Sequence, residues 1–151
     1  MKPDYIKDLE TWKDEFQLFF PVSVRFSETD AFGHLNNTVS FVYFETARIE
    51  FFKETGLMQR WMSRTGENIP VTADLQCDYR KQIFFDEKLN IGVKVAKVGS
   101  SSLDLHYVIL NENKEVCMTG RGSIVQVSKK TGKSSAWETD IKNILGNLVN
   151  L

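Results

Sequence analysis

Apolar and polar positions alternate with period two along most of the chain. They change to a helical spacing in one long stretch near its start. Over residues 20–27, Val22, Val24 and Phe26 fall on one face, which predicts a strand. Residues 38–56 predict a helix closed by Gly56 just past its C-terminus. In its first half Val39, Phe41, Val42, Tyr43 and Phe44 are apolar nearly all round, so that end is expected to be buried on most sides. Its second half carries Glu45, Arg48, Glu50, Lys53 and Glu54 and should reach solvent. Residues 57–69, with Trp61 and Met62, form a partly helical connection.

Four strands follow. Val71, Ala73, Leu75, Cys77 and Tyr79 are expected on one face of the first, Leu89, Ile91, Val93 and Val95 on one face of the next, and Leu103, Leu105, Tyr107 and Ile109 on one face of the third. The last, over 115–128, changes phase between Met118 and Val125, and Gly120 and Gly122 mark the place where a bulge is expected. Turns at 99–101 and 111–113 join the last three strands as hairpins. Residues 1–16 read as a short helix or arm carrying Tyr5, Leu9, Trp12 and Phe16, and residues 137–151 as a short C-terminal helix.

The order of strand, long buried helix and four antiparallel strands predicts an α+β domain in which about five strands wrap one central helix. Such a sheet still has an open face, and a partner subunit would cover it. The whole of 1–151 is expected to form one domain.

Composition narrows the picture. With 151 residues, 42% hydrophobic and 26% charged, the chain can bury a core without disulfides or metal. A net charge of −1 gives no global field for nucleic acid or an anionic membrane, so an anionic ligand must be held by a local patch. The residues before the first strand are too few and too acidic for a helix-turn-helix. The N-terminus lacks the apolar run of a signal peptide, and no apolar run approaches a membrane span. Cys77 and Cys117 have no CxxC or zinc-type spacing and read as buried thiols in a reducing compartment. The expectation is a cytoplasmic protein with no metal, no cofactor, and no nucleic-acid or membrane partner.

The candidate chemistry lies in residues 27–56. Asp30 sits in a loop directly before the helix, Gly33 permits a positive φ, and Asn36, Asn37 and Thr38 are candidate N-caps. The free N–H groups of a helix start carry partial positive charge and would stabilise an oxyanion placed there. Asp30 could attack a carbonyl held at that point, or activate water beside it. Equally, its side chain could cap the turn, and His34 could orient Asp30, contact ligand or hold the turn.

The stretch SETDAFGHLNNTVSFVYFETARIEFFKETG resembles the hotdog-fold thioesterase family, in its 4-hydroxybenzoyl-CoA and acyl-CoA thioesterase branch. The likeness covers roughly residues 20–135. It rests on the D-x-x-G-H-x-N-N turn (Asp30, Gly33, His34, Asn36, Asn37), the E-x-A-R element (Glu45, Ala47, Arg48) and the later GSSS and FFDE segments. It implies a hotdog fold, with Asp30 as the catalytic carboxylate, His34 beside it, and the amide of Asn37 polarising the thioester carbonyl. Phe32 stands where plant acyl-carrier-protein thioesterases have an asparagine, and Gln82 stands near a position that is usually proline in the family.

The expected activity is hydrolysis of an acyl-CoA to acid and CoA, with CoA as part of the substrate and the site between the subunits of a homodimer or a dimer of dimers (homotetramer). Gly33, Asn36, Phe41 and Tyr43 are the expected substrate contacts, with Lys129, Lys130 and Lys133 for the CoA phosphates. Arg80 and Lys81 are further basic candidates. Glu45 is either a surface partner of Arg48 or an alternative carboxylate, and His106 reads as structural. A hotdog hydratase or dehydratase, or a non-catalytic acyl-CoA sensor, are the competing readings.

Overall fold

The computed structural model describes residues 3–149. Residues 1, 2, 150 and 151, assigned from the sequence to the arm and the terminal helix, lie outside the described residues. The elements run α1 (Leu9–Asp14), β1 (Leu18–Ser23), α2 (Val39–Thr55), α3 (Leu57–Met62), β2 (Asn68–Tyr79), β3 (Lys88–Val98), β4 (Ser102–Leu110), β5 (Val116–Ser128) and α4 (Thr139–Val149). The five strands form one antiparallel sheet in the order β1-β3-β4-β5-β2, wrapped around α2 as expected.

The first strand ends earlier than the alternation suggests. Residues Phe26–Glu28 tighten into a 3-10 turn, because the Glu28 carboxylate accepts a hydrogen bond from the Arg25 N–H at 2.8 Å. In α2, Ser40, Tyr43, Phe44, Ala47, Arg48, Phe51 and Phe52 are buried, the i, i+3, i+4 spacing of one face against a sheet. Val42, expected inside, is 51% exposed. One chain therefore buries one side of this helix, not most sides. Gly56 ends α2 at φ 82°, where a side chain would be strained. The chain turns there directly into α3, whose Leu57 and Trp61 complete the core.

The expected bulge at Gly120 and Gly122 is absent. Both residues pair in continuous register with β4 and with β2. A Cβ on Gly120 would collide with the Phe44 ring, which stacks on Tyr107 with centroids 4.7 Å apart. This glycine therefore admits the central helix to the sheet. The irregularities lie elsewhere: Ala73 in β2, Ala96 in β3 and Cys117 in β5 are the extra residues. The one at Ala73 reverses the face of β2. Thr72 lies opposite buried Ile124 and Leu75 opposite Gly122, so Ile69 and Val71 turn to the outer face, 38% and 43% exposed.

The outer face is also partly covered without a partner. Ile6, Trp12 and Phe16, from the N-terminal arm and α1, pack on Val108 and Leu110 of β4. What the chain leaves open is thus less this sheet face than the long edge strand β2, unpaired on one side in the sheet order. No described helix is long and apolar enough to cross a membrane.

Candidate active site

Residues 28–39 form a folded-back loop that delivers the chain into α2. Its stem is the Asn36 N–H on the Glu28 carbonyl at 2.8 Å and an isolated bridge between Thr29 and Leu35. Leu35 is fastened to the sheet side through its N–H on the Ile83 carbonyl at 2.7 Å. At the tip, the Asp30 N–H donates to the His34 carbonyl at 2.8 Å, and Gly33 takes φ 82°.

Asp30 is half-buried and does cap its turn. Its Oδ1 accepts the N–H groups of Phe32 at 2.8 Å and of His34 at 3.1 Å. Oδ2 accepts no hydrogen bond among the described residues, so the cap leaves one carboxylate oxygen available. His34 touches Asp30 through its backbone, while its ring lies edge-on to Phe84 with centroids 5.2 Å apart. Phe32, next to this turn, is 83% exposed.

The helix start has an uneven set of amides. The Thr38 N–H donates to Asn36 Oδ1 at 3.0 Å and the Val39 N–H to the Asn36 carbonyl at 2.9 Å. With the Asn36 N–H on Glu28, the amide of Asn37 alone in residues 36–39 has no acceptor among the described residues. Thr38 holds the N-cap position without a side-chain cap, and Asn36 closes the preceding turn instead.

Three residues here were not singled out in the sequence. Glu28 is buried at the root of the loop and accepts from the Arg25 backbone, the Arg25 guanidinium at 3.3 Å and the Tyr43 hydroxyl at 3.0 Å. Burial alone would raise its carboxyl, but the donors from Arg25 and Tyr43 outweigh it and hold it below the usual range. The Tyr43 phenol is raised in turn, by burial first and then by Glu28. Tyr43, an expected substrate contact, is thus engaged inside the chain and presents no surface to a ligand there. Phe41 is half-buried at the same end of α2. Ser40 and Tyr79 are the other two, and both donate to the Asn37 carbonyl.

The remaining candidates separate. Lys129, Lys130 and Lys133 occupy the turn after β5, where the Ser128 N–H donates to the Lys133 carbonyl. Tyr79 lies opposite Met118 at the far end of β5. From Met118 to Ser128, at about 3.3 Å per residue, spans roughly 33 Å. Within one chain the lysine turn and Asp30 do not share a site. Arg80 and Lys81 are at the Asp30 end, with Lys81 paired to Glu115 at 2.7 Å. Arg48 is no surface residue. It is 6% exposed and donates to the Tyr107 hydroxyl at 3.2 Å, with exposed Glu45 at 3.8 Å. His106 is buried on the outer face, where its Nδ1 accepts from Trp12 Nε1 at 3.0 Å, consistent with a structural role. Cys117 is buried and Cys77 half-buried; desolvation raises both thiols, Cys117 to about 11.

Residues 24–145 match the model of the thioesterase-like superfamily. The chain is 46% identical over 144 residues to the uncharacterized protein YsmA of Bacillus subtilis (strain 168), covering 95% of each chain. Its fold is similar to that of a predicted thioesterase from Bacillus stearothermophilus, with TM-score 0.76 and 29% identity over 87% of this chain and 95% of that one. It also resembles in fold the DHNA-CoA thioesterase of Staphylococcus aureus, with TM-score 0.77 and 24% identity over 88% and 91% of the two chains. A five-stranded antiparallel sheet around one long helix, bearing this family's sequence signature over residues 24–145, makes the chain a hotdog-fold member of the thioesterase-like superfamily.

Proposed function

We propose that the protein hydrolyses acyl-CoA thioesters, with Asp30 as the base or nucleophile and the amide of Asn37 polarising the carbonyl. The observation that carries this reading is the pairing of two unengaged groups on one loop: Oδ2 of Asp30, and the Asn37 N–H at the positive end of α2. The carboxylate attacks the thioester carbon, or takes a proton from a water that does. Negative charge then gathers on the carbonyl oxygen, facing the Asn37 N–H. The C–S bond breaks, and the CoA thiolate leaves and takes up a proton. If Asp30 attacks directly, water hydrolyses the resulting anhydride, and the products are again acid and CoA. The chain supplies all of these groups, so the reaction calls for no metal or cofactor.

Two copies complete the site in this proposal. The edge strand β2 runs for 12 residues with one side unpaired in the sheet order, and two-fold antiparallel pairing with a second copy would satisfy it. Such pairing brings the lysine turn of one copy toward the Asp30 loop of the other, where it can meet the CoA phosphates.

The test is thiol release from a panel of acyl-CoAs, short, long and aromatic, with hydration of an enoyl-CoA followed in parallel. Hydrolysis of at least one thioester, lost in Asp30→Asn, is the expected result. Stoichiometric acyl-CoA binding without turnover would make the protein a sensor, and hydration without thiol release would make it a hydratase.

A further inference from the structure

Two hydroxyls from different elements meet on one atom at the start of α2. Ser40 Oγ donates to the Asn37 carbonyl at 2.8 Å, and the Tyr79 phenol donates to the same oxygen at 2.5 Å. The hydroxyl oxygens are 3.3 Å apart. The N–H of the same peptide unit, on Thr38, donates to Asn36 Oδ1 at 3.0 Å. The 37–38 peptide is therefore pinned at both ends. The 36–37 peptide is held through its carbonyl by the Val39 N–H. The Asn37 N–H belongs to that second plane, and its aim is set by the two fixed peptides that meet at Asn37.

The two donors are not equivalent. Ser40 lies on α2, three residues beyond Asn37, and moves with the helix. Tyr79 is the last residue of β2 and ties the helix start to the sheet. The loop before it is fastened through the Leu35 N–H on the Ile83 carbonyl, and the Tyr79 contact adds a direct tie from the sheet to the Asn37 carbonyl itself.

We infer that Tyr79, assisted by Ser40, is a positioning residue: by holding the Asn37 carbonyl from the edge strand, it aims the Asn37 amide at the thioester oxygen. This rests on the proposed hydrolysis. An oxyanion donor acts through preorganisation, and its contribution falls steeply when it is free to turn away. Loss of the phenol should therefore lower turnover more than binding.

Tyr79→Phe removes the hydroxyl and keeps the ring. On a hydrolysed acyl-CoA, kcat should fall about 10-fold with KM within about twofold, at a Tm close to that of the parent protein. Ser40→Ala should act in the same direction. The double variant should lose less than the product of the two effects, because the donors share one acceptor. An unchanged kcat, or a loss matched by the fraction unfolded, overturns the inference. Amide resonances of the 15N-labelled full chain give a readout that needs no turnover. In Tyr79→Phe the Asn37 and Thr38 signals should shift and broaden while those of the middle of α2 stay in place. Unaltered Asn37 and Thr38 signals overturn the positioning role even in a protein that hydrolyses nothing, whereas altered signals without activity would count against the hydrolase reading alone.

Discussion

At Asp30 the cap and the proposed carboxylate role, which the sequence offered as alternatives, are compatible in one side chain. Oδ1 closes the turn, Oδ2 stays open, and the cap holds the open oxygen in place. Asp30→Asn preserves size and much of the capping while removing charge and basicity. Steady-state kinetics should show kcat lower by at least about 100-fold, the scale of losing a general base, whereas Glu45→Gln should change it little. An inactive Glu45→Gln beside an active Asp30→Asn would transfer the carboxylate role to the helix.

Glu28 was hidden in the sequence for a physical reason. In the run Ser27-Glu28-Thr29-Asp30 both acids look like loop residues, and only the fold sends one inward to Tyr43 and leaves the other half-buried on its turn. Replacing Glu28 with Ala would strand the buried Tyr43 hydroxyl and free the Arg25 N–H. A loss of about 1–3 kcal/mol in denaturant unfolding is expected, with Tyr43→Phe, which removes the donor, milder.

At the scale of elements, the alternation located the last four strands and displaced the first toward its C-terminal side, leaving Val24 and Phe26 outside β1, while the central helix lies within a residue of its expected limits. The alternation could not locate the bulges. Val71, Ala73 and Leu75 keep a regular spacing, and nothing in their identities shows that Ala73 is the extra residue; that follows from where β2 meets Ile124 and Gly122 on β5. The glycines that looked like bulge markers instead make room, Gly120 for Phe44 and Gly122 for Leu75.

The arm and α1 were legible as a short helix, but not their place on the outer face, because the contact that anchors them joins Trp12 to His106 across most of the chain. That contact makes the anchor sensitive to acid. Burial lowers the His106 pKa from 6.5 to about 4, with Asp104 and Glu15 opposing the shift and Lys94 and Arg121 reinforcing it. Above pH 6.5 the imidazole is neutral folded and unfolded, and its contribution is fully present. Between 6.5 and 4 the unfolded chain binds the proton and the folded chain does not, so stability is lost as pH falls. Protonation at Nδ1 would also remove the acceptor for Trp12. Thermal unfolding from pH 7.5 to 4.5 should show Tm declining more steeply in the parent protein than in His106→Gln. Parallel curves would mean that His106 titrates normally.

At the scale of the molecule, the position of the lysine turn gives the proposed pairing of two copies a sharper test than the oligomeric state alone. In one chain Lys129, Lys130 and Lys133 lie roughly 33 Å along β5 from the strand end beside the Asn37 carbonyl. That is too far for a CoA phosphate and its thioester to contact both through a compact site. In the proposed dimer, antiparallel pairing of β2 with its copy would reverse the strand direction and carry the lysine turn of one chain toward the loop of the other. Reversing all three charges should therefore raise KM for acyl-CoA more than for a thioester truncated before the nucleotide. Sedimentation at micromolar concentration should show at least a dimer.

Mixed dimers separate the two arrangements. In a hybrid of one Asp30→Asn chain and one chain with all three lysines changed to Glu, the intact Asp30 sits on the chain that has lost its lysines. If phosphates are held across the interface, that Asp30 faces the intact lysine turn of the other chain. The hybrid should then show half the parental kcat at the parental KM. If they are held within one chain, the raised KM of the triple variant persists. A KM for acyl-CoA that never responds to the lysine charges would remove the turn from the site, leaving Arg80 and Lys81, at the Asp30 end of the sheet, as the cations to vary next.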